Sequence, residues 1–359
     1  MPKRNYSLLG ADAERAIEIG LAAAEWYHTD VPRKEMKALM QRSDQPAIRD
    51  TVILLGCMAV FAGLGIAFWP TIWSVPFWLA YGVLYGSAMD SRWHECGHGT
   101  AFKTPWMNDA LYQLASFCMI RNPHTWRWSH ARHHTDTIIV GRDPEIAVMR
   151  PPGFLRLGLV FLGIRDVWLG LGRMLYNASG RVHPEEAQFI PESERPKVIR
   201  VARIWTAIYA ATLALCLAAG SILPLMLIGL PRLYGAWHHV MTGLLQHGGL
   251  AEDVTDHRLN SRTVCMNRVS RFIYWNMNYH VEHHMFPMVP YHRLPDLHAR
   301  IRHDLPPPNP SIPAALAEML GALLRQRHDE GYYLRRDLPA SARPYREEFH
   351  GAAAGVPAE

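Results

Sequence analysis

Three short stretches of this 359-residue chain concentrate histidine: His94-Glu95-Cys96-Gly97-His98, His130-Ala131-Arg132-His133-His134 and His280-Val281-Glu282-His283-His284. The last two share the pattern HxxHH. With 20 histidines in the chain, chance would supply roughly 0.06 such matches. A lone histidine is ordinarily a hydrogen-bonded polar residue with no special task, but eight in three boxes need another explanation. Side chains at i and i+3 or i+4 share a helical face, so each box can aim two or three imidazoles one way. Neutral imidazole ligates Zn, Cu, Fe and Ni. Eight or more exceed what one ion accepts, so two metals are implied, and residue types leave the metal open. Glu95, Asp136, Asp143, Glu145, Glu282 and Asp296 lie near the boxes as candidate acceptors to orient the rings. Each is equally readable as an exposed charge or a helix cap.

The boxes need elements that end at a common depth. No Lys, Arg, Asp or Glu occurs between Asp50 and Asp90, nor between Arg203 and Arg232. A bilayer core of ~30 Å takes ~20 helical residues. Thr51 to Met89 therefore predicts two spans turning near Trp69-Pro70-Thr71, where Phe68, Trp69, Trp73 and Phe77 would form an interfacial belt. Ile204 to Gln246 predicts two more, turning at Gly220-Ser221 and Pro224. The expected fold is all-α, an integral membrane protein of four transmembrane helices in two hairpins under a helical cap. His94 follows the second span and His247 ends the fourth, so the boxes share one side. Lys3, Arg4, Arg33, Lys34, Lys37, Arg42 and Arg49 put that side in the cytoplasm. Beside an apolar span this patch is a flank, not a nucleic-acid site.

The remaining segments are shorter. Met107 to Ile120 is too short to span and reads as re-entrant or interfacial. Phe154 to Tyr176, with Arg156, Arg165, Asp166 and Arg173, reads as an amphipathic helix on the membrane surface. Residues 1–50 form a cytosolic arm, helical in part over Asp12 to Trp26. Residues 51–304 form the catalytic membrane domain, and residues 305–359 a cytosolic tail. The tail opens as a Leu305-Pro306-Pro307-Pro308 linker, continues as a helix from Ser311 to Arg327, and frays from Ala340. Five cysteines without a CxxC pair exclude a disulfide scaffold or a Cys-based zinc site. The start, Met1 to Tyr6, lacks the apolar core of a cleaved signal.

In order and spacing, the boxes resemble the membrane-bound fatty acid desaturase and hydroxylase superfamily, whose pattern is HxxxH or HxxxxH, then HxxHH, then [HQ]xxHH. The resemblance covers roughly residues 50–300. It implies a non-haem di-iron centre on the cytoplasmic face with O2 as co-substrate. The two Fe ions would be held by His94, His98, His130, His133, His134, His280, His283 and His284. A further histidine upstream of the last box completes the family's set. His247, in Gln246-His247-Gly248-Gly249, is the first choice, ahead of His238, His239 and His124. The stretch Trp275 to Pro287 is similar to a bacterial branch that includes the rhizopine oxygenases, which implies a bacterial inner membrane. That branch also implies a separate electron donor, a Rieske-type ferredoxin with a flavin reductase, and no cytochrome b5 His-Pro-Gly-Gly signature is present.

The implied reaction is oxidation of an unactivated C–H bond in a fatty acyl or lipid substrate. The same site could demethylate a small methylated polyol or decarboxylate a fatty acid to a terminal alkene, and no residue separates these outcomes. An acyl substrate predicts a long apolar tunnel from the metals. A polyol predicts a short polar pocket open to the cytoplasm. Two rivals explain less. His94-Glu95-x-x-His98 is also the zinc-protease pattern, but that leaves six boxed histidines without a task. A metal transporter would carry ionisable groups within its spans, and these spans have almost none.

Overall fold

The computed structural model describes residues 4–347. Among them the architecture is all-helical, and β pairing is confined to isolated bridges, Thr263 with Tyr279 and Val264 with Asn309. Two helices are long and apolar enough to cross a bilayer. They lie within Arg33–Ala67 and Glu192–Ala219, with mean hydropathy 2.0 and 1.7 over their most apolar windows.

The partners of these helices are less regular than expected. A continuous helix follows the Trp69 turn, as Val75–Val83, a π-helical turn Leu84–Ala88, and Met89–Gly97. This helix delivers the first box. The expected fourth span is not one helix. It is broken into Leu223–Leu227, Pro231–Tyr234 and Trp237–His247. Pro224 and Pro231 cannot donate to a preceding turn, and Gly229 takes a left-handed φ of 96°. The break lets the chain cross the second helix at van der Waals distance. A Cβ on Gly235 would lie 1.8 Å from the Gly82 carbonyl oxygen. Ser87 Oγ fastens the crossing by donating to Gly235 O at 2.6 Å.

The segment expected as one amphipathic helix is two, Phe154–Phe161 and Ile164–Ala178, hinged at Gly163. Leu155 and Trp168 are 80 % and 77 % exposed, so the apolar face points outward rather than into the core. Helix Pro105–Met119 occupies the segment expected to be interfacial. Ser311 caps helix Ile312–Gln326 by accepting from Ala314 N–H, close to the expected bounds.

Both terminal segments wrap the cap. Helix Ala11–Glu18 and a 3-10 turn at Leu21–Ala23 form part of the first arm. Trp26 stacks on His257 with ring centroids 4.3 Å apart, and Tyr27 and Thr29 each donate to Asp304 Oδ2 at 2.6 Å. At the other end, buried Arg258 donates to Arg343 O and Pro344 O, and Arg343 N–H donates to Asp304 Oδ1. Fraying was expected from Ala340, yet residues up to 347 are tied down because these backbone groups have partners. Residues 348–359 lie outside the described residues.

Candidate metal centre

Each box is aimed by local structure. Asn122 caps helix Pro123–Thr135 by accepting from His124 N–H, with Pro123 in the first turn. The helix therefore starts at a fixed point, and His130, His133 and His134 follow at one-turn spacing. The third box fills the buried helix His280–Met285. His247 ends helix Trp237–His247, and fully buried Arg262 donates to Leu245 O at 2.6 Å and Gly248 O at 3.1 Å. A cation on those terminal carbonyls satisfies them and complements the helix dipole.

Nine imidazoles meet in two groups. One holds His94, His98, His130, His134 and His283, and the other holds His133, His247, His280 and His284. Within each group the nearest ligating nitrogens all lie within 4.8 Å of one another. His133 and His134, neighbours in sequence, fall in different groups, as do His283 and His284. The groups abut, with the His134 and His284 ring centroids 4.5 Å apart. Of the four candidates for the ninth place, His247 joins. His238 Nε2 faces Ser270 Oγ, His239 lies between Arg232 and Asp90, and His124 pairs with Glu194.

Three of the rings have acceptors on their outer nitrogens. His133 Nδ1 donates to Asp143 Oδ2 at 2.8 Å, His130 Nδ1 to Glu145 Oε2 at 3.0 Å, and His247 Nδ1 to Asn260 O at 2.7 Å. Glu95 sits 3.6 Å from His94 Nδ1 and 3.7 Å from His283 Nδ1. The other three candidate acceptors face elsewhere. Glu282 binds His298 and Thr263, Asp136 binds Arg142 and Arg132, and exposed Asp296 pairs with Arg293. Sequence reasoning missed Asn260, Thr137 and His257. Asn260 acts through a carbonyl, which no residue type announces. Thr137 Oγ1 lies 3.2 Å from His284 Nδ1. His257, 5.0 Å from the His284 ring, stood beside Asp256 without a box around it.

With a proton fixed on Nδ1, Nε2 of His130, His133 and His247 must present a lone pair inward. His130 Nε2 lies 3.1 Å from His98 Nε2, and His247 Nε2 lies 3.0 Å from His280 Nε2. Both nitrogens of buried His94 and Glu95 Oε1 have no protein hydrogen-bond partner. A cation between the rings satisfies such an arrangement, so the residues fit a metal pair. Burial pushes His98 down to about 3, and His130, His134, His280, His283 and His284 well below the usual value. These rings are neutral, the ligating form. At His133 burial acts downward too, but the Asp143 carboxylate outweighs it and the pKa is raised.

A cavity of about 430 Å³ opens on His94, His130, His133, His247 and His280 and continues between the two outward-facing helices. Its wall is mixed. Met119, Val160, Leu169, Met174 and Leu244 supply apolar surface, and six arginines also line it. It is therefore neither the wholly apolar tunnel nor the short polar pocket that the alternatives predicted.

The sequence profile described as fatty acid desaturase matches residues 67–314. The chain is 26 % identical over 315 residues to the chloroplast sn-2 acyl-lipid omega-3 desaturase (ferredoxin) of Arabidopsis thaliana, covering 79 % of this chain and 68 % of that protein. It is 25 % identical over 313 residues to the endoplasmic reticulum acyl-lipid omega-3 desaturase (cytochrome b5) of the same plant, covering 80 % and 79 %. The profile match takes in all three boxes and His247 and extends over more than half the chain, so this protein belongs to the fatty acid desaturase family.

Proposed function

We propose that the chain is a membrane-bound di-iron oxidoreductase that desaturates the acyl chain of a lipid, using O2 and electrons from a separate ferredoxin. The observation that carries this reading is the convergence of nine imidazoles, six buried and three half-buried, in groups of five and four. Iron in those groups would supply O2 activation and removal of hydrogen from an unactivated C–H bond. The chain supplies the geometry. Asp143 and Glu145 keep the proton on Nδ1 of His133 and His130, which leaves Nε2 free. Glu95 accepts from Thr100 Oγ1 and Tyr291 N–H and so stays beside the His94 and His283 rings. Trp26 and the terminal segments close the side of the cap next to His257 and His284. The cavity gives an extended substrate a path to the rings.

In this reading the chain crosses a bacterial inner membrane four times. Asp44–Ala67 and Arg195–Ala219 are the unbroken outbound helices, Val75–Gly97 and the broken segment 223–247 return, and the rings lie on the cytoplasmic side. The outward Leu155 and Trp168 support a bilayer against the surface helices. Desaturase relatives named for ferredoxin and for cytochrome b5 support a separate donor, and a Rieske-type ferredoxin with a flavin reductase is the donor proposed.

The test is direct. Purified protein is analysed for metal, then supplied with reduced ferredoxin, O2 and a panel of acyl lipids, fatty acids and methylated polyols, with products read by mass spectrometry. Two irons per chain and an acyl product two hydrogens lighter are expected. One zinc per chain, or turnover of the polyols alone, overturns the reading.

A further inference from the structure

Six arginines line the cavity that opens on the histidines: Arg121, Arg150, Arg156, Arg165, Arg173 and Arg232. Four have carboxylates. Arg121 pairs with Asp90, Arg150 with Glu252, Arg173 with Glu185, and Arg232 with Asp166. The other carboxylates of the wall are engaged as well: Asp143 by His133, Glu145 by His130 and Ser129, and Glu186 by Asn177. Among the described residues no carboxylate pairs with Arg156 or Arg165. Arg156 Nη1 donates to Met149 Sδ, a weak acceptor, and its Nε is buried with no partner.

These two cations also act on each other. Partial burial and then the Arg165 charge work against the charged form of Arg156, and Asp166 and Tyr6 offset only part of this. Two guanidiniums that share a cavity wall, with no carboxylate in ion-pair contact among the described residues, form a site of positive potential. Guanidinium matches carboxylate and phosphate oxygens through paired N–H donors. The arginines sit on helices Phe154–Phe161 and Ile164–Ala178, whose outward faces carry Leu155, Phe161, Leu162 and Trp168. Such a face lies in a lipid interface. The site is thus at headgroup depth, and the apolar wall of Val160, Leu169, Met174 and Leu244 belongs to the same cavity.

We propose that Arg156 and Arg165 receive the anionic group of an amphiphilic substrate, a carboxylate or a phosphate, while its apolar chain follows the cavity toward the histidines. This rests on the acyl-oxidising function proposed above and narrows it to acidic amphiphiles. A cationic amine is repelled by the same pair.

The test is equilibrium binding to the full chain, iron-loaded and in uncharged detergent at low salt, of three oleyl probes: oleic acid, oleoyl lysophosphatidate and oleyl alcohol. Detergent in place of vesicles removes the general attraction of a basic surface for anionic bilayers. At least one acidic probe should bind about tenfold or more tighter than the alcohol, a preference that fades with salt. Preference for the acid identifies a carboxylate ligand, and preference for lysophosphatidate a lipid phosphate. Arg156→Gln/Arg165→Gln should abolish the preference while iron content and alcohol binding stay unchanged. Arg165→Gln alone, at a partly exposed side chain, should reduce it and guards against misfolding of the double variant. Equal binding of the three probes by the wild type, or a preference that survives in a folded double variant, overturns the assignment. If acyl products still form in that case, the proposed function stands without it. Failure of every oleyl probe to bind sinks both.

Discussion

Asp143 Oδ2 holds two donors at once, His133 Nδ1 and the backbone N–H of Ile138, each at 2.8 Å. The carboxylate therefore ties a ring that faces the metal groups to the loop behind it, where Ile138 takes a positive φ of 56°. Asp143→Asn keeps the shape but loses the charge and one acceptor. The expected result is iron affinity lower by about 10–100-fold at the four-histidine group, with the five-histidine group less affected. Iron titration followed by mass spectrometry of the intact protein reads this, and two irons held at wild-type affinity would count against the role given to Asp143.

The ninth ring is separable from its rivals. His247→Ala should lose one of two irons. His239→Ala, whose ring lies between Arg232 and Asp90, should lose thermal stability but keep both. The reverse pattern in metal analysis would move the ninth ligand.

Arg262 is fully buried and holds the carbonyls at the end of the His247 helix. Arg262→Ala leaves those carbonyls without their partner and Glu318 with Arg336 alone. A loss on the order of 3 kcal/mol is expected, together with weaker iron retention, because the helix end sets the His247 ring. Thermal unfolding of the iron-free and iron-loaded forms separates the two effects, and an unchanged midpoint for both contradicts the assignment.

The tail strap turns on Asp304. Burial alone would raise its pKa, but hydrogen bonds from Thr29, Tyr27 and Arg343 N–H, with the Arg258 charge, hold it below the usual carboxylate range. A depressed carboxylate contributes stability that is present above its unfolded pKa and lost only as pH falls through the folded value. Protease cleavage within 331–347 should therefore be flat from about pH 6 to 8 in the wild type. Asp304→Asn should raise it several-fold at neutral pH. Equal cleavage of the two proteins would show that the strap does not depend on this carboxylate.

The glycine crossing gives the sharpest steric test. Gly235→Ala puts a methyl group 1.8 Å from Gly82 O, and backbone cannot yield as a flexible side chain does. Loss of folded protein is expected, measured by monodispersity in detergent. Gly243→Ala, where a Cβ meets nothing within 4 Å, should be tolerated.

The boxes were legible because the chemistry depends on residue type and one-turn spacing, both written in one dimension. His247 was legible through its place at a helix end. The choice among nearby carboxylates was not. Glu145 and Asp143 face rings while Glu282 turns to His298, and the difference lies in how the loop after the second box folds back. The break in the fourth apolar segment was half-written, in Pro224, Pro231 and Gly229. Its cause is a contact with Gly82 that lies 153 residues from Gly235 in the chain. The end of the tail was expected to fray because its partners, Asp304 and Arg258, are polar and distant in sequence.

Two pairs of consecutive residues, His133–His134 and His283–His284, each send one ring to either group. Alpha carbons joined by one peptide are about 3.8 Å apart whatever surrounds them. The spacing between the two ligand sets is thus gauged twice by covalent bonds, not by packing that could relax. Swelling or thermal loosening of the cap can tilt the rings, but it cannot pull the sets apart, and an insertion of one residue inside either pair would unseat both together.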